Sequence, residues 1–104
     1  MNTMSRETEI LQLLQNVFSQ ERGRLASHRV VLFGSRARGD ARLRSDFDVA
    51  VVGATPLPLT DFYALADKIE EIPTLYKIDW LDLARTNDKF RQSALMHHKV
   101  IYEA

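Results

Sequence analysis

Cysteine is absent from these 104 residues, which removes disulfide frameworks and thiolate chemistry and is compatible with a reducing compartment. An excess of either charge is also lacking. The 14 Lys and Arg balance the 14 Asp and Glu, so no global field draws the chain onto nucleic acid or a membrane surface. No apolar run approaches the ~20 residues that cross a bilayer. The first residues carry no basic head followed by an apolar stretch and a small-residue cleavage site. Repeats and low-complexity tracts are missing. Two familiar phosphate-binding signatures fail as well: there is no Gly-Lys-Ser/Thr ending of a Walker loop and no Gly-x-Gly-x-x-Gly. The expectation is a soluble, cytoplasmic, single domain over 1–104, large enough for a core and small enough to work with partners.

What is present reads as alternating helices and strands. Ile10, Leu13, Leu14, Val17 and Phe18 recur at helical spacing, with Ser5 as N-cap and Gly23 as stop. His28 to Phe33 is a β-branched run ended by Gly34, hence a buried strand. Arg36 to Leu43 reads as a short helix or turn, and Asp46 to Val52 as a second strand closed by Gly53. Pro56 and Pro58 stiffen a connector. Thr60 then caps a helix with Phe62, Leu65, Ala66, Ile69 and Ile72 on one stripe, ended by Pro73. Leu75 to Leu83 is a third strand, with Ile78 and Trp80 on one side and Lys77, Asp79 and Leu81 on the other. Thr86 or Asn87 caps a last helix to about His98, before an extended Val100-Ile101-Tyr102. This order predicts an α/β fold, a small mixed β-sheet with helices packed against it.

Chemistry concentrates between Gly34 and Asp48. Asp46 and Asp48 stand two apart at the head of a strand, so their side chains leave the same face. Two same-sided carboxylates repel unless a cation sits between them, and a hard divalent ion such as Mg²⁺ suits both while leaving positions for phosphate oxygens. An isolated Asp-x-Asp is more often just a solvated strand end. Its company here changes that balance. Gly34-Ser35 follows a buried strand, where a tight turn presents backbone N–H groups and a hydroxyl to an anion. Arg36 and Arg38 add charge-assisted donors. Arg42 and Arg44 extend the basic cluster; RNA is a conceivable ligand, but a nearby triphosphate explains it more simply. Asp79 lies in an otherwise apolar stretch, where an unpaired charge is unfavourable. It completes a triad if its strand lies beside that of Asp46 and Asp48; Asp82 is the local competitor, on the Trp80 face.

Gly34-Ser-Arg-Ala-Arg-Gly39, then Ser45-Asp-Phe-Asp48, then Ile78-Asp79-Trp80 resembles the minimal nucleotidyltransferases of the DNA polymerase β-like superfamily, over most of the chain from His28 to Tyr102. The resemblance implies the polymerase β-like nucleotidyltransferase fold. It also implies a transferase in which Gly34 and Ser35 hold the β and γ phosphates, with Arg36, Arg38 and Ser45 in the nucleotide-binding set. Asp46, Asp48 and Asp79 would be catalytic residues and ligands of two Mg²⁺ ions, with ATP as donor and pyrophosphate as leaving group.

The family further implies a partner. Larger relatives carry an extra domain for the acceptor, whereas minimal members are often encoded beside a small helical HEPN protein. The leading expectation is therefore an antitoxin that adds AMP to a tyrosine of a HEPN RNase toxin, as a hetero-oligomer or a homodimer, with no membrane and no direct nucleic acid contact. Two alternatives stand beside it. One is a non-catalytic nucleotide-binding subunit that inhibits by occlusion; the other is a small-molecule nucleotidyltransferase completed by a second subunit.

Overall fold

The computed structural model describes residues 6–42 and 44–103. Four helices and four strands alternate: α1 (Arg6–Gln20), β1 (Arg29–Phe33), α2 (Ser35–Arg38), β2 (Phe47–Val52), α3 (Leu59–Glu70), β3 (Ile78–Asp82), α4 (Asp88–Met96) and β4 (Lys99–Glu103). The strands form one mixed sheet in the order β3-β2-β1-β4. β1 pairs antiparallel with β2 and β4, and β2 pairs parallel with β3. The parallel pair needs a crossover, which α3 supplies.

Alternation along the strands splits the core into two layers. Val30, Leu32, Phe47, Val49 and Val51 face Ile10, Leu14 and Phe18 of α1 and Leu65 and Ile69 of α3. Val31, Phe33 and Ala50 face the thinner layer made by Leu83 and Ala94. Burial on both faces explains why β1 and β2 read as unbroken apolar runs. Trp80 anchors the thicker layer: it stacks on Phe62 and Phe18 at 5.4 and 5.6 Å between centroids, and its indole N–H donates to the Phe62 carbonyl at 3.0 Å.

Several element ends differ from expectation. Ser5 and Leu43 lie outside the described residues. α1 stops at Gln20, before Gly23, because the chain turns through a 3-10 segment, Arg22–Leu25, that drives Leu25 fully into the core. α2 ends at Arg38, where Gly39 takes a left-handed φ of 85° and returns its N–H to the Ser35 carbonyl. Thr60 is not the cap of α3. The helix begins at Leu59 with Pro58 in the N-cap position and no side-chain cap, so proline's fixed φ sets the entry. It ends at Glu70, and Ile72 reaches the core from the following turn. β3 starts at Ile78, later than Leu75, whose side chain is wholly exposed and gains nothing from a sheet. Asn87 does cap α4, accepting the Phe90 N–H at 2.7 Å. α4 ends at Met96, before His98, and the terminal segment is a full edge strand on β1.

Candidate active site

Gly34 leaves β1 with φ +75°, a conformation L side chains rarely adopt, and a Cβ there would sit 2.3 Å from Asp48 Oδ2. Phe33, just before it, is the register partner of Asp48 across β1 and β2. The turn therefore presses backbone directly against that carboxylate. α2 then starts, with the Ala37 and Arg38 N–H groups both donating to the Gly34 carbonyl at 3.1 Å. The amides of Ser35 and Arg36 stand at the helix start, where no intrahelical acceptor is available. The Ser35 hydroxyl makes no hydrogen bond among the described residues.

Asp48 continues this row across the sheet. Its register partner on the parallel strand is Asp79. Both carboxylates leave the face shared by Ala50 and Leu81, opposite Phe47 and Trp80. Burial pushes the Asp48 carboxyl above its ordinary value, and the negative charges of Asp79 and Asp46 push it further; a hydrogen bond with Asp79 adds to the rise, and only the Arg38 cation opposes it. The Asp79 carboxylate has one cation alongside, Lys77 Nζ at 3.6 Å. Asp46 is exposed at the mouth. Asp82, the competitor, is a structural group. It is buried and accepts the Leu57 N–H at 2.8 Å and the Ala84 N–H at 3.0 Å.

The basic residues divide. Arg38 is exposed, pairs with Asp40 at 3.3 Å, and lies close enough to Asp48 to favour its ionised form. Arg36 is buried on the other side of β2. Its guanidinium lies 4.0 Å above the Phe47 ring and 5.2 Å from that of Tyr76, and its Nε and Nη2 donate to the Ser45 carbonyl at 3.2 and 2.8 Å. This fork holds the residue before Asp46. Ser45 closes the turn from within, its hydroxyl accepting the Arg42 N–H at 2.8 Å. Two residues beyond the expected set enter the site's surroundings: Lys77 beside Asp79, and Tyr76 beneath Arg36. The alternation read over Leu75 to Leu83 in the sequence put Lys77 on the Asp79 side and was the signal for it, although β3 itself begins one residue later, at Ile78.

The donor set suits a divalent cation. It is made of hard carboxylate oxygens, and their crowding together with burial raises the proton affinity of Asp48, a strain that a cation between them relieves. Among the described residues no three His, Cys, Asp or Glu side chains form a ready cage. A Mg²⁺ ion held by one or two carboxylates commonly completes its shell with water and substrate phosphates.

A sequence model of the family described as "Polymerase beta, Nucleotidyltransferase" matches residues 9–104. A Haemophilus influenzae protein named "Probable protein adenylyltransferase MntA" is 29% identical over 97 residues, covering 93% of this chain and 82% of that protein. A solved structure of a toxin-antitoxin with AMP-PNP is similar with a TM-score of 0.63 at 25% identity, over 96% of this chain and 75% of that one. A Shewanella oneidensis complex of a tri-AMPylated HEPN toxin with an MNT antitoxin shares the fold, with a TM-score of 0.60 at 23% identity over 90% and 73% of the two chains.

Proposed function

The chain belongs to the polymerase β nucleotidyltransferase family, and from that premise we propose that it is a Mg²⁺-dependent adenylyltransferase antitoxin, transferring AMP from ATP to a tyrosine hydroxyl of a HEPN toxin in the cytoplasm. The observation that carries the reading is the facing of Asp48 and Asp79 across parallel strands, against the Gly34 turn. The relative named a protein adenylyltransferase and the AMP-PNP-bound toxin-antitoxin neighbour support the nucleotide and the kind of acceptor. The HEPN complex supports the partner.

In this reading the Gly34–Ser35 turn binds the β and γ phosphates through backbone N–H groups and the Ser35 hydroxyl. Arg38 contributes charge at the open side. Asp46, Asp48 and Asp79 would hold two Mg²⁺ ions, which neutralise phosphate charge and lower the proton affinity of the attacking hydroxyl. The acceptor oxygen forms a bond to the α phosphorus as the bond to the bridging oxygen of the β phosphate breaks. Pyrophosphate leaves, and the hydroxyl proton passes to the Asp79 carboxylate or to solvent. Arg36 acts as a positioning residue: it fixes the Ser45 carbonyl, and with it the direction of Asp46.

The test mixes this chain with the product of the adjacent reading frame, Mg²⁺ and ATP labelled at the α phosphate. Label should appear on the neighbour and vanish with Asp46→Ala or Asp79→Ala. Inhibition of the neighbour that survives Asp48→Asn, without label, would replace this reading by occlusion.

A further inference from the structure

We propose that Lys77 is a tethered counter-cation that couples metal binding to nucleotide binding at the candidate site. It pairs with Asp79 before metal binds, opposes a divalent ion arriving alone, and turns to phosphate when nucleotide and metal arrive together. This role deepens the transferase reading and rests on it.

The backbone and the tip of Lys77 are held very differently. Its carbonyl accepts the Phe47 N–H at 2.9 Å, which carries the contact between β2 and the β3 segment one step past the paired residues. The side chain is 70% exposed, and the ammonium lies 3.6 Å from Asp79 Oδ1. An ion pair so open to water adds little to folding, so stability gives no reason for a cation at this place. The acids around it do. Asp79 interacts directly with Asp48, and Asp46 adds a third negative charge felt at Asp48. Lys77 lines one groove with Asp46 and another with Glu70, yet among the described residues Asp79 is the carboxylate at ion-pair distance from it.

A divalent ion entering that cluster meets Lys77 as a like charge. At a separation of a few ångströms this repulsion lowers affinity by roughly a factor of ten in a water-exposed site. A triphosphate reverses the balance, because its oxygens supply partners for both cations at once. Lysine suits the exchange: it is a compact charge on a flexible stem, where arginine is a planar fork. The ammonium leaves Asp79 without disturbing β3, since the strand holds the backbone alone. Metal and nucleotide therefore each bind better in the other's presence.

Mn²⁺ binding to the full chain, followed by electron paramagnetic resonance without nucleotide, reads the first half of this role. Lys77→Gln should bind Mn²⁺ at least about fivefold more tightly than the wild type, and salt should shrink the difference. Lys77→Arg, which keeps the charge, should stay close to the wild type. Calorimetry with Mg²⁺ and α,β-methylene ATP, whose α–β bridge resists cleavage, reads the second half. There Lys77→Gln should bind several-fold more weakly. Urea unfolding in EDTA checks that both variants are folded. Unchanged or weaker Mn²⁺ binding by Lys77→Gln, or nucleotide binding that the substitution leaves intact, would overturn the proposal. Label transfer from ATP separates this from the transferase reading. A chain that labels the adjacent frame's product, while Lys77→Gln binds Mn²⁺ as the wild type does, keeps the transferase and loses the counter-cation. Both expected differences in a chain that labels nothing keep the counter-cation and lose the transferase.

Discussion

Gly34 has its positive φ at the point where a methyl group would strike the Asp48 carboxylate, so two constraints act on one position. Gly34→Ala should destabilise the chain by about 1–3 kcal/mol, because φ 75° with ψ −155° is a backbone conformation essentially confined to glycine, and lower AMP transfer by roughly 100-fold or more through displacement of Asp48. Urea unfolding and labelled-ATP assays separate the two effects. Asp48 itself has a pH signature. Its carboxyl titrates above the ordinary value of 3.8 because of burial and then Asp79 and Asp46. The folded chain therefore retains the proton where the unfolded chain has lost it, and stability falls as pH rises through the raised value. Asp48→Asn removes that penalty. In EDTA its Tm should exceed that of the wild type at pH 7, and the two should converge as pH falls below 3.8, while transfer is abolished.

At the level of elements, Asp46 lies just before β2 and exposed, so strand alternation does not fix its side and only its charge is felt at Asp48, whereas β1 and β2 were legible because both of their faces are buried. The start of β3 was not, because only the packing reveals that Leu75 has nothing to lie against. Nor was the start of α3, where proline geometry replaced the expected Thr60 cap. Arg36 is the instructive case. An arginine two residues past a glycine turn reads as a phosphate donor, yet one more turn of backbone carries it over Phe47 and onto the Ser45 carbonyl. No sequence period encodes which side of a four-residue helix a long side chain takes. Arg36→Lys, which keeps the charge and loses the planar fork, should cost about 2 kcal/mol in a urea titration. It should lower kcat with little change in KM for ATP; a phosphate ligand would instead raise KM.

Across the whole molecule, the family match and the mixed four-stranded sheet agree with the fold expected from the order of elements. The candidate site is made where three strands end together, so ligand and fold are coupled. Mg²⁺ with ATP at about a hundredfold over Kd should add ~2.7 kcal/mol to stability, seen as a rise in Tm. ATP with EDTA should add far less, and Asp48→Asn should lose the metal-dependent part. The pairing of β2 carries a last consequence. Phe47 and Asp48 leave opposite faces, one into the thicker core and one into the site. A slip of a single residue between strands would push a carboxylate under α1 and turn a phenyl ring outward. Misfolded copies of this chain should therefore be wholly inert instead of merely slow, and a preparation's specific activity should count its correctly registered molecules.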